Sequence, residues 1–543
     1  MEAFQKGQIA VPEIQRDIVW DSEQVKDLLI SIHNYYPCGS LIIWEPREKD
    51  EKLMREIIRP ERLEFYDHLP RYFLVDGQQR ITALASMILE RGFLGKLEPD
   101  LVNELPSIHV NLKNFPEDLE AASESEPYKF PWALINDVFD GKVKESVDYK
   151  AKLSSEQKSA IESNVQRVRD YQFPVQIIQE RNYPTVGRIF SLVNSQGTQL
   201  TGAEIHIASI IPYWRGISKE FRNYRQDLRR NGYDLDLTFL MRAITVISCD
   251  VPQIKKLADK VSQKQLSKAQ LNKLWKESKL ATNAVVKTLR EDLLLDRSKF
   301  FLSKNAMVPL VYYAARSRTE KRPLDRKAMM RFFLVSQLGG HYSGAGETVL
   351  RRDLRYLSDP GIKPKEGLHE LLDLAVGEAK REYWGLRVKA EHVSGIASKN
   401  VMVLLMYIAI RRSGAKDFGS EPLPIERIPD SKLQLHHIFP FDFMMKDEKA
   451  LRYQRDEGLS GREFRERVND VANLTFLSQG TNVRIGNLAP WQYLPNETND
   501  ETRKAHFIPE EEDLWTPENF GGFLGARRKI LSTSMNSLLR SLQ

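Results

Sequence analysis

The hydrophobic pattern of the chain changes near residue 200, and this change strongly limits the folds open to it. Before this point, short runs rich in β-branched and aromatic residues alternate with helical patterns; after it, one amphipathic helical pattern follows another. No fixed repeat period appears in the helical part, which argues against a solenoid. At 543 residues the chain is also too long for one ordinary core, so we expect two or three domains.

The first part of the chain reads as an α/β domain over residues 1–200. Segments 39–46, 71–77, 107–115 and 173–180 predict strands, each bounded by Gly, Pro or charged clusters. Between them, segments 25–36 and 78–92 carry apolar residues at helical spacing. The charged stretch at about 47–65 is most simply a solvated insertion. The aromatic residues Tyr35, Tyr36 and Trp44 could stack on a flipped base, but we expect them in the core.

Residues 201–415 read as a helical domain, with helices predicted for example at 203–226, 236–248 and 325–340. Within it, segment 255–279 holds eight lysines against Asp259 and Glu277. This segment is either a contact surface for phosphate groups or a solvated helix face. The Gly- and Pro-rich segment 411–432 looks like a linker to a last domain at 416–543.

Composition excludes several classes of protein. The apolar run VMVLLMYIAI at 401–410 is about half the length that spans a bilayer, so it predicts a core helix and no membrane anchor. The N-terminus lacks the basic and apolar regions of a secretion signal, and the chain has only two cysteines, Cys38 and Cys249. We therefore expect a cytoplasmic protein. The net charge of +6 is modest, so local charge must carry any argument about nucleic acid.

Two adjacent histidines, His436 and His437, stand in the apolar stretch LQLHHIFPFDF at 433–443. A buried imidazole needs partners for both ring nitrogens, so the pair predicts polar or metallic neighbours. The segment LQLHHIFP predicts one strand and NLTFL a second, and a hairpin followed by a helix would bring the pair close to Asn473 and Asn482. Such a surface can hold one divalent metal ion beside a general base, as phosphodiester hydrolysis requires; the alternative is a hydrogen-bonded pair without chemistry.

The order H-H-x-x-P, then N-L, then a polar residue nine positions on, resembles the HNH, or ββα-metal, nuclease motif. The resemblance implies that His436 is a metal ligand and His437 the general base. It also implies that Asn473 orients the hairpin and the base, and that Asn482 is the second metal ligand. Asparagine at the last position, where the family more often has histidine, suits an oxygen-preferring ion such as Mg²⁺ or Mn²⁺. Asn487 is a candidate for a further ligand.

A second constellation lies in RYFLVDGQQRITAL at 71–84, where a predicted strand runs directly into a helix. The free N–H groups of the helix N-terminus and the guanidinium of Arg80 would favour an anion such as a nucleotide phosphate, and Asp76 could hold a bridging Mg²⁺. The alternative needs no ligand: Asp76 as N-cap and Gln79 at the third helical position would form a capping box.

Four segments in order resemble the ParB/sulfiredoxin-like domain of the GmrSD family, bacterial type IV restriction enzymes that cut modified phage DNA. They are VPEIQRDIVW (11–20), YPCGSLIIWE (36–45), VDGQQRITAL (75–84) and FSLVNSQGTQLTGAEI (190–205). The resemblance implies nucleotide binding by Asp76, Gly77, Gln78, Gln79 and Arg80, with Gln15 and Arg16 facing the same pocket. It also implies a tight turn at Gly197, with Asn194 and Leu200 matching the same segment of the family.

Together the resemblances imply an α+β protein: a ParB/sulfiredoxin-like domain, a helical coupling domain and a C-terminal HNH domain. The implied function is a modification-dependent DNA endonuclease of antiphage defence that uses Mg²⁺ or Mn²⁺ and GTP or another nucleoside triphosphate. We expect modified double-stranded DNA as the partner and a homo-oligomer as a possible state. Two alternatives stay open: the same enzyme triggered by phosphorothioated host DNA, and a nucleotide-dependent DNA-binding regulator with an inactive nuclease domain.

Overall fold

Strands and helices alternate in the N-terminal part of the computed structural model, as the hydrophobic pattern predicts. The strands are β1 (Ile9–Ala10), β2 (Leu41–Trp44), β3 (Tyr72–Asp76), β4 (Ser107–Asn111), β5 (Leu119–Ala122), β6 (Trp132–Leu134) and β7 (Val175–Ile178). The helices are α1 (Ser22–His33), α2 (Gln78–Ile88), α3 (Ile135–Phe139), α4 (Val147–Lys152), α5 (Ser155–Asp170), α6 (Tyr183–Val193) and α7 (Gly202–Ile210). All four predicted strands and both predicted helices of this part are confirmed.

The rest of the chain is mainly helical, with one hairpin near its end. Its helices are α8 (Ile217–Arg230), α9 (Leu237–Cys249), α10 (Ile254–Ser262), α11 (Lys268–Lys287), α12 (Met307–Thr319), α13 (Arg326–Leu338), α14 (Gly346–Ser358), α15 (Pro364–Glu382), α16 (Val401–Arg412), α17 (Phe441–Lys446), α18 (Glu448–Asp456), α19 (Gly461–Val468), α20 (Gln479–Ile485), α21 (Pro490–Glu497), α22 (Asp500–Ala505) and α23 (Phe520–Ser541). The hairpin strands are β8 (Leu433–His437) and β9 (Leu474–Ser478). The expected α+β class is thus confirmed.

The structure describes residues 3, 6, 8–13, 20, 22–46, 69–88, 107–115, 119–122, 129–180, 183–193, 202–344, 346–382, 387–395 and 401–543. The predicted insertion at about 47–65 lies outside them. The chain divides into two compact units, Met1–Phe221 with Lys260–Gln265, and Arg222–Asp259 with Leu266–Gln543. Most of the helical middle part therefore belongs to the same unit as the C-terminal hairpin. The three-domain division at 200 and 415 stays a prediction.

In the first unit, the main sheet has the strand order β1-β3-β2-β7. Strand β3 pairs parallel with β1 and antiparallel with β2, and β2 pairs parallel with β7. A second, antiparallel sheet has the order β5-β4-β6. The apolar residues of α1 and α2 recur every three or four positions and pack into a core with β4, α3 and α5, so α2 is anchored at the end of β3.

In the second unit, α16 is the core helix that the run at 401–410 predicts, because every residue from Met402 to Ile410 is buried. No single helix among the described residues has the length and apolar composition of a membrane span. Helices α9 and α10 meet those criteria only as a pair, joined across a bend of 66°.

Two expectations need correction. The segment at 411–432 is not a loose linker, because Phe418, Ile425 and Ile428 are buried and the buried guanidinium of Arg297 donates to the carbonyls of Ile425 and Ile428. The exposed fractions of Tyr35 and Tyr36 are 62% and 59%. A core position is the usual one for a large aromatic ring, but these two follow the last turn of α1, and the guanidinium of Arg167 in α5 lies over the ring of Tyr35 at 5.9 Å from its centre.

Candidate active site

A hairpin followed at once by a helix carries the two adjacent histidines and Asn482. Strands β8 and β9 pair antiparallel, with His436 opposite Thr475 and His437 opposite Leu474. Helix α20 begins directly after β9, and Asn482 lies in it. Both predicted strands are therefore present, and the SQGTN segment forms the first turn of a helix.

The junction between β9 and α20 is held by side chains. The Oγ of Ser478, the N-cap of α20, accepts from the backbone N–H of Thr481 at 3.1 Å. The carboxylate of the buried Asp417 accepts from the N–H of Ser478 at 3.1 Å and from the hydroxyl of Thr481 at 2.7 Å. These bonds fix the orientation in which α20 faces the hairpin.

Asn473 fastens the segment that follows β8. Its side chain is fully buried, its Oδ1 accepts from the N–H of Phe439 at 2.9 Å, and its Nδ2 donates to the carbonyl of Phe439 at 3.0 Å and to that of Val468 at 2.8 Å. All three groups are backbone groups of the fold. Asn473 therefore holds the backbone that follows β8 against the end of α19.

His436 and Asn482 face each other. The exposed fraction of His436 is 2%, and burial lowers its pKa to about 4, so the imidazole is neutral near pH 7. Its Nδ1 lies 2.7 Å from Oδ1 of Asn482, whose Nδ2 donates to Oε1 of Gln434 at 2.7 Å. Its Nε2 lies 3.3 Å from the hydroxyl of Tyr493, which donates to the carbonyl of Ile438 at 3.0 Å.

As it stands, a proton on Nδ1 of His436 bridges to Oδ1 of Asn482 in a hydrogen bond. The same two atoms would be the ones to hold a cation if the ring proton moved away from Nδ1. The imidazole would then carry its proton on Nε2, where the hydroxyl of Tyr493 can accept it while still donating to Ile438. The pair alone is not a complete coordination shell, and among the described residues no group of three or more His, Cys, Asp or Glu side chains is placed to share a metal ion. Asn487 lies exposed in the turn after α20.

His437 is half-buried and is held by Asn469, a residue that the sequence analysis missed. The Nδ2 of Asn469 donates to the carbonyl of Arg465 at 2.9 Å, which turns its Oδ1 toward Nε2 of His437 at 3.0 Å. Nε2 must therefore carry the proton of the neutral ring, and Nδ1 keeps the lone pair. Burial lowers the pKa of His437, although the hydrogen bond to Asn469 opposes that shift.

Three supporting residues carry no signal that the sequence analysis used. Asn469 and Tyr493 lie outside the H-H, N-L and Asn positions, and only the fold brings them to the two imidazoles. Arg527 in α23 is fully buried and donates to the carbonyls of Ala472 and Leu474 at 2.7 Å each, so it fixes the start of β9. Burial lowers the pKa of Arg527 to about 9.

In the first unit, the D-G-Q-Q-R motif lies where β3 meets α2. Gly77 has a φ of +93° and is the N-cap position, because α2 begins at Gln78. Asp76 pairs with Arg80 at 3.1 Å, while Gln79 accepts from the N–H of Trp20 at 3.3 Å. These contacts differ from the capping box of Asp76 and Gln79 that was the alternative interpretation.

The surroundings of Arg80 are tightly packed. Its Nη1 donates to the carbonyl of Cys38 at 2.6 Å, and a Cβ at Gly39 would lie 2.3 Å from that nitrogen. Gln78 is buried, and its Oε1 has no hydrogen-bond partner among the described residues. A buried polar atom of this kind calls for a partner, which a bound ligand can supply. Gln15, Arg16, Asn194, Gly197 and Leu200 lie outside the described residues.

Comparison with known proteins agrees with the N-terminal resemblance. The sequence model of the family described as "GmrSD restriction endonuclease, N-terminal domain" matches residues 2–211. The chain is also similar to "Uncharacterized protein MJ0686" of Methanocaldococcus jannaschii, with 20% identity over an alignment 601 positions long. The alignment covers 98% of this chain and 97% of the relative. The family match suggests a restriction endonuclease, a class of enzyme that binds and cuts DNA.

Proposed function

We propose that this protein is a metal-dependent DNA endonuclease whose phosphodiester hydrolysis takes place at the hairpin of β8 and β9. The observation that carries the proposal is the joint placement of His436, His437, Asn473 and Asn482 on a hairpin and the helix that follows it. The match of residues 2–211 to the N-terminal domain of a restriction endonuclease family supports the same class of enzyme independently, because it involves a different part of the chain.

His437 acts as the general base. Asn469 holds its Nε2–H, so the lone pair on Nδ1 takes a proton from a water molecule. The water oxygen then forms a bond to phosphorus, and one P–O ester bond breaks. The leaving oxygen takes its proton from a solvent water molecule, and His437 gives the proton it accepted back to solvent. Because its pKa is lowered, His437 is neutral and ready to accept this proton near pH 7.

His436 and Asn482 hold Mg²⁺ or Mn²⁺, with water and phosphate oxygens completing the shell. When bound, such an ion supplies positive charge against the negative charge that develops on the phosphate in the transition state. Asn473 contributes by fixing the backbone after His437, and Arg527 contributes by fixing the start of β9, the strand that pairs with the histidines.

The D-G-Q-Q-R motif binds a nucleoside triphosphate, GTP or another, and controls the nuclease. Arg80 and the N-terminus of α2 supply the positive partners for phosphate, and the buried amide of Gln78 supplies a further polar contact. A nuclease without such control would attack host DNA, so we propose that cleavage also depends on a DNA modification and serves antiphage defence. The helical middle part would couple the two sites.

The nuclease proposal is tested by plasmid cleavage with Mn²⁺ or Mg²⁺. The wild-type protein should nick or cut, and His437→Ala should fold normally and lose cleavage. His369→Ala is the matched control, since this histidine lies on α15 with 49% of its side chain exposed and pairs with Asp325 at 3.1 Å. Cleavage by His437→Ala at the wild-type rate would show that the base is elsewhere, and no cleavage by any form would favour a DNA-binding regulator.

The trigger and the nucleotide are tested in the same assay. Unmodified, glucosylated-hydroxymethylcytosine and phosphorothioated plasmids are compared with and without GTP, and cleavage confined to one substrate names the trigger. Arg80→Ala should lose nucleotide hydrolysis. Arg71→Ala is the control, because Arg71 is 64% exposed and pairs with Glu45. Equal hydrolysis by both variants would exclude the D-G-Q-Q-R motif as the nucleotide site.

A further inference from the structure

Helix α11 in the second unit has one buried face and one basic face. Its N-terminus is fixed by a capping box, in which Ser267 Oγ accepts from Gln270 N at 3.3 Å and Gln270 Oε1 accepts from Ser267 N at 2.8 Å. Its buried residues are Leu271, Trp275, Ser278, Ala281, Thr282, Val285 and Val286. The helix is thus held in one orientation, and the direction of its other face is set by packing.

A row of lysines lies beside the buried face. At about 100° per residue, Lys268, Lys276, Lys279 and Lys287 fall within about 100° of one another around the helix axis. The row is about 28 Å long at 1.5 Å per residue. Lys268, Lys276 and Lys287 are exposed, and the ammonium of Lys279 lies over the ring of Trp275 at 5.1 Å from its centre.

Two of the four lysines, Lys268 and Lys276, have no acidic partner among the described residues. The one acidic residue of α11 is Glu277, which lies half a turn away from Lys268 around the axis and pairs with Arg318 at 3.3 Å. Among the described residues, no carboxylate lies within ion-pair distance of Lys268 or Lys276, and Glu291 approaches Lys287 only to 3.9 Å. Four exposed lysines elsewhere in the same unit do have such partners: Lys363, Lys365, Lys389 and Lys504 pair with Glu366, Asp325, Glu391 and Glu510.

The geometry points to the basic face of α11 as a surface that binds the sugar-phosphate backbone of duplex DNA. This inference rests on the proposed function, since it names where the substrate of that function is held. Ammonium groups distributed along about 28 Å of a helix can reach several phosphates of one strand, which follow one another about every 3.4 Å along the duplex axis. Lysines bind phosphates as point charges without reading bases. The basic face would bind DNA of any base sequence, and cleavage of the phosphodiester bond would take place at the hairpin of β8 and β9.

The test compares two variants of the full chain that lose the same charge. One replaces Lys268, Lys276, Lys279 and Lys287 by Gln; the other replaces Lys363, Lys365, Lys389 and Lys504 by Gln. Binding of a fluorescent 30-base-pair duplex is measured by anisotropy in EDTA over a series of salt concentrations. The slope of log K against log salt is negative, and each lost phosphate contact makes it less steep by about 0.9. The slope of the α11 variant should therefore be less steep than that of the wild type by about 3 to 4. The control variant should lose less than about 1.

Equal slopes for the two variants would overturn the inference. A change of sedimentation coefficient in the α11 variant with an unchanged slope would overturn it too, and would assign the face to contact between copies of the chain. Cleavage with Mn²⁺ at saturating DNA and low salt separates this inference from the nuclease proposal. The α11 variant should keep wild-type cleavage there, and a protein that binds DNA through α11 without cutting it would refute only the nuclease proposal.

Discussion

Replacing Asn473 by Ala tests whether this residue acts through the backbone or in the chemistry. The substitution removes one acceptor and two donor contacts from buried backbone groups, namely the N–H and C=O of Phe439 and the C=O of Val468. A buried polar group left without a partner costs about 1 to 3 kcal/mol. At the low end of that range for each group, we expect a loss of about 3 kcal/mol in the local stability of the hairpin.

Amide hydrogen exchange measures this loss directly, because exchange follows the free energy of local opening. A change of about 3 kcal/mol corresponds to about 100-fold faster exchange, since each 1.4 kcal/mol is tenfold. The amide of Phe439 donates to Asn473 Oδ1, so the peptide covering residues 433–443 is the one to follow. Cleavage should be lost as well, because His437 lies two residues before this contact.

Asn482→Ala is the control for this experiment. Its side chain contacts His436 and Gln434, so we expect it to lose cleavage while the exchange of the Phe439 amide stays at the wild-type rate. If Asn473→Ala lost cleavage with wild-type protection of Phe439, the reasoning would be refuted, and Asn473 would have to act on the substrate or the base.

The other predictions concern pH, the positioning of the base and the N-terminal site. A general base must be neutral, and burial lowers the pKa of His437 below its usual 6.5. The single-turnover cleavage rate should therefore rise with pH below 6.5 and be flat at neutral pH. A rise centred above about pH 7 would contradict this. Asn469→Ala frees the ring of His437, so kcat should fall about 10- to 100-fold with KM for DNA little changed, and an unchanged kcat would refute the role of Asn469. Gly39→Ala places a Cβ 2.3 Å from Arg80 Nη1 at a φ of +78°, so nucleotide hydrolysis should fall as in Arg80→Ala. Gly141→Ala is the control, because Gly141 has a φ of +79° with open space around it, and this variant should keep wild-type hydrolysis. Equal hydrolysis in both would refute the role given to Arg80.

Local pattern was enough to predict several elements. The strands at β2, β3, β4 and β7 and the helices α1 and α2 follow from hydrophobic period and from Gly and Pro at their ends, which act within a few residues of one another. The same reasoning placed both strands of the hairpin and the buried helix α16. It placed Tyr35 and Tyr36 in the core incorrectly, because residue type alone does not report what covers a surface.

The sequence by itself singled out the candidate residues: the adjacent histidines and the two asparagines for a metal and a base, and the D-G-Q-Q-R motif for a nucleotide. Only the tertiary structure decided how they are held. Asn469 reaches His437 across 32 positions, Tyr493 reaches His436 across 57, and Arg527 supports β9 from the last helix. Such contacts depend on how elements pack, and hydrogen bonds between distant segments leave no periodic trace in the sequence. The orientation of the lysines of α11 is likewise a matter of tertiary structure. Packing of the apolar side of this helix decides which of its lysines share one direction.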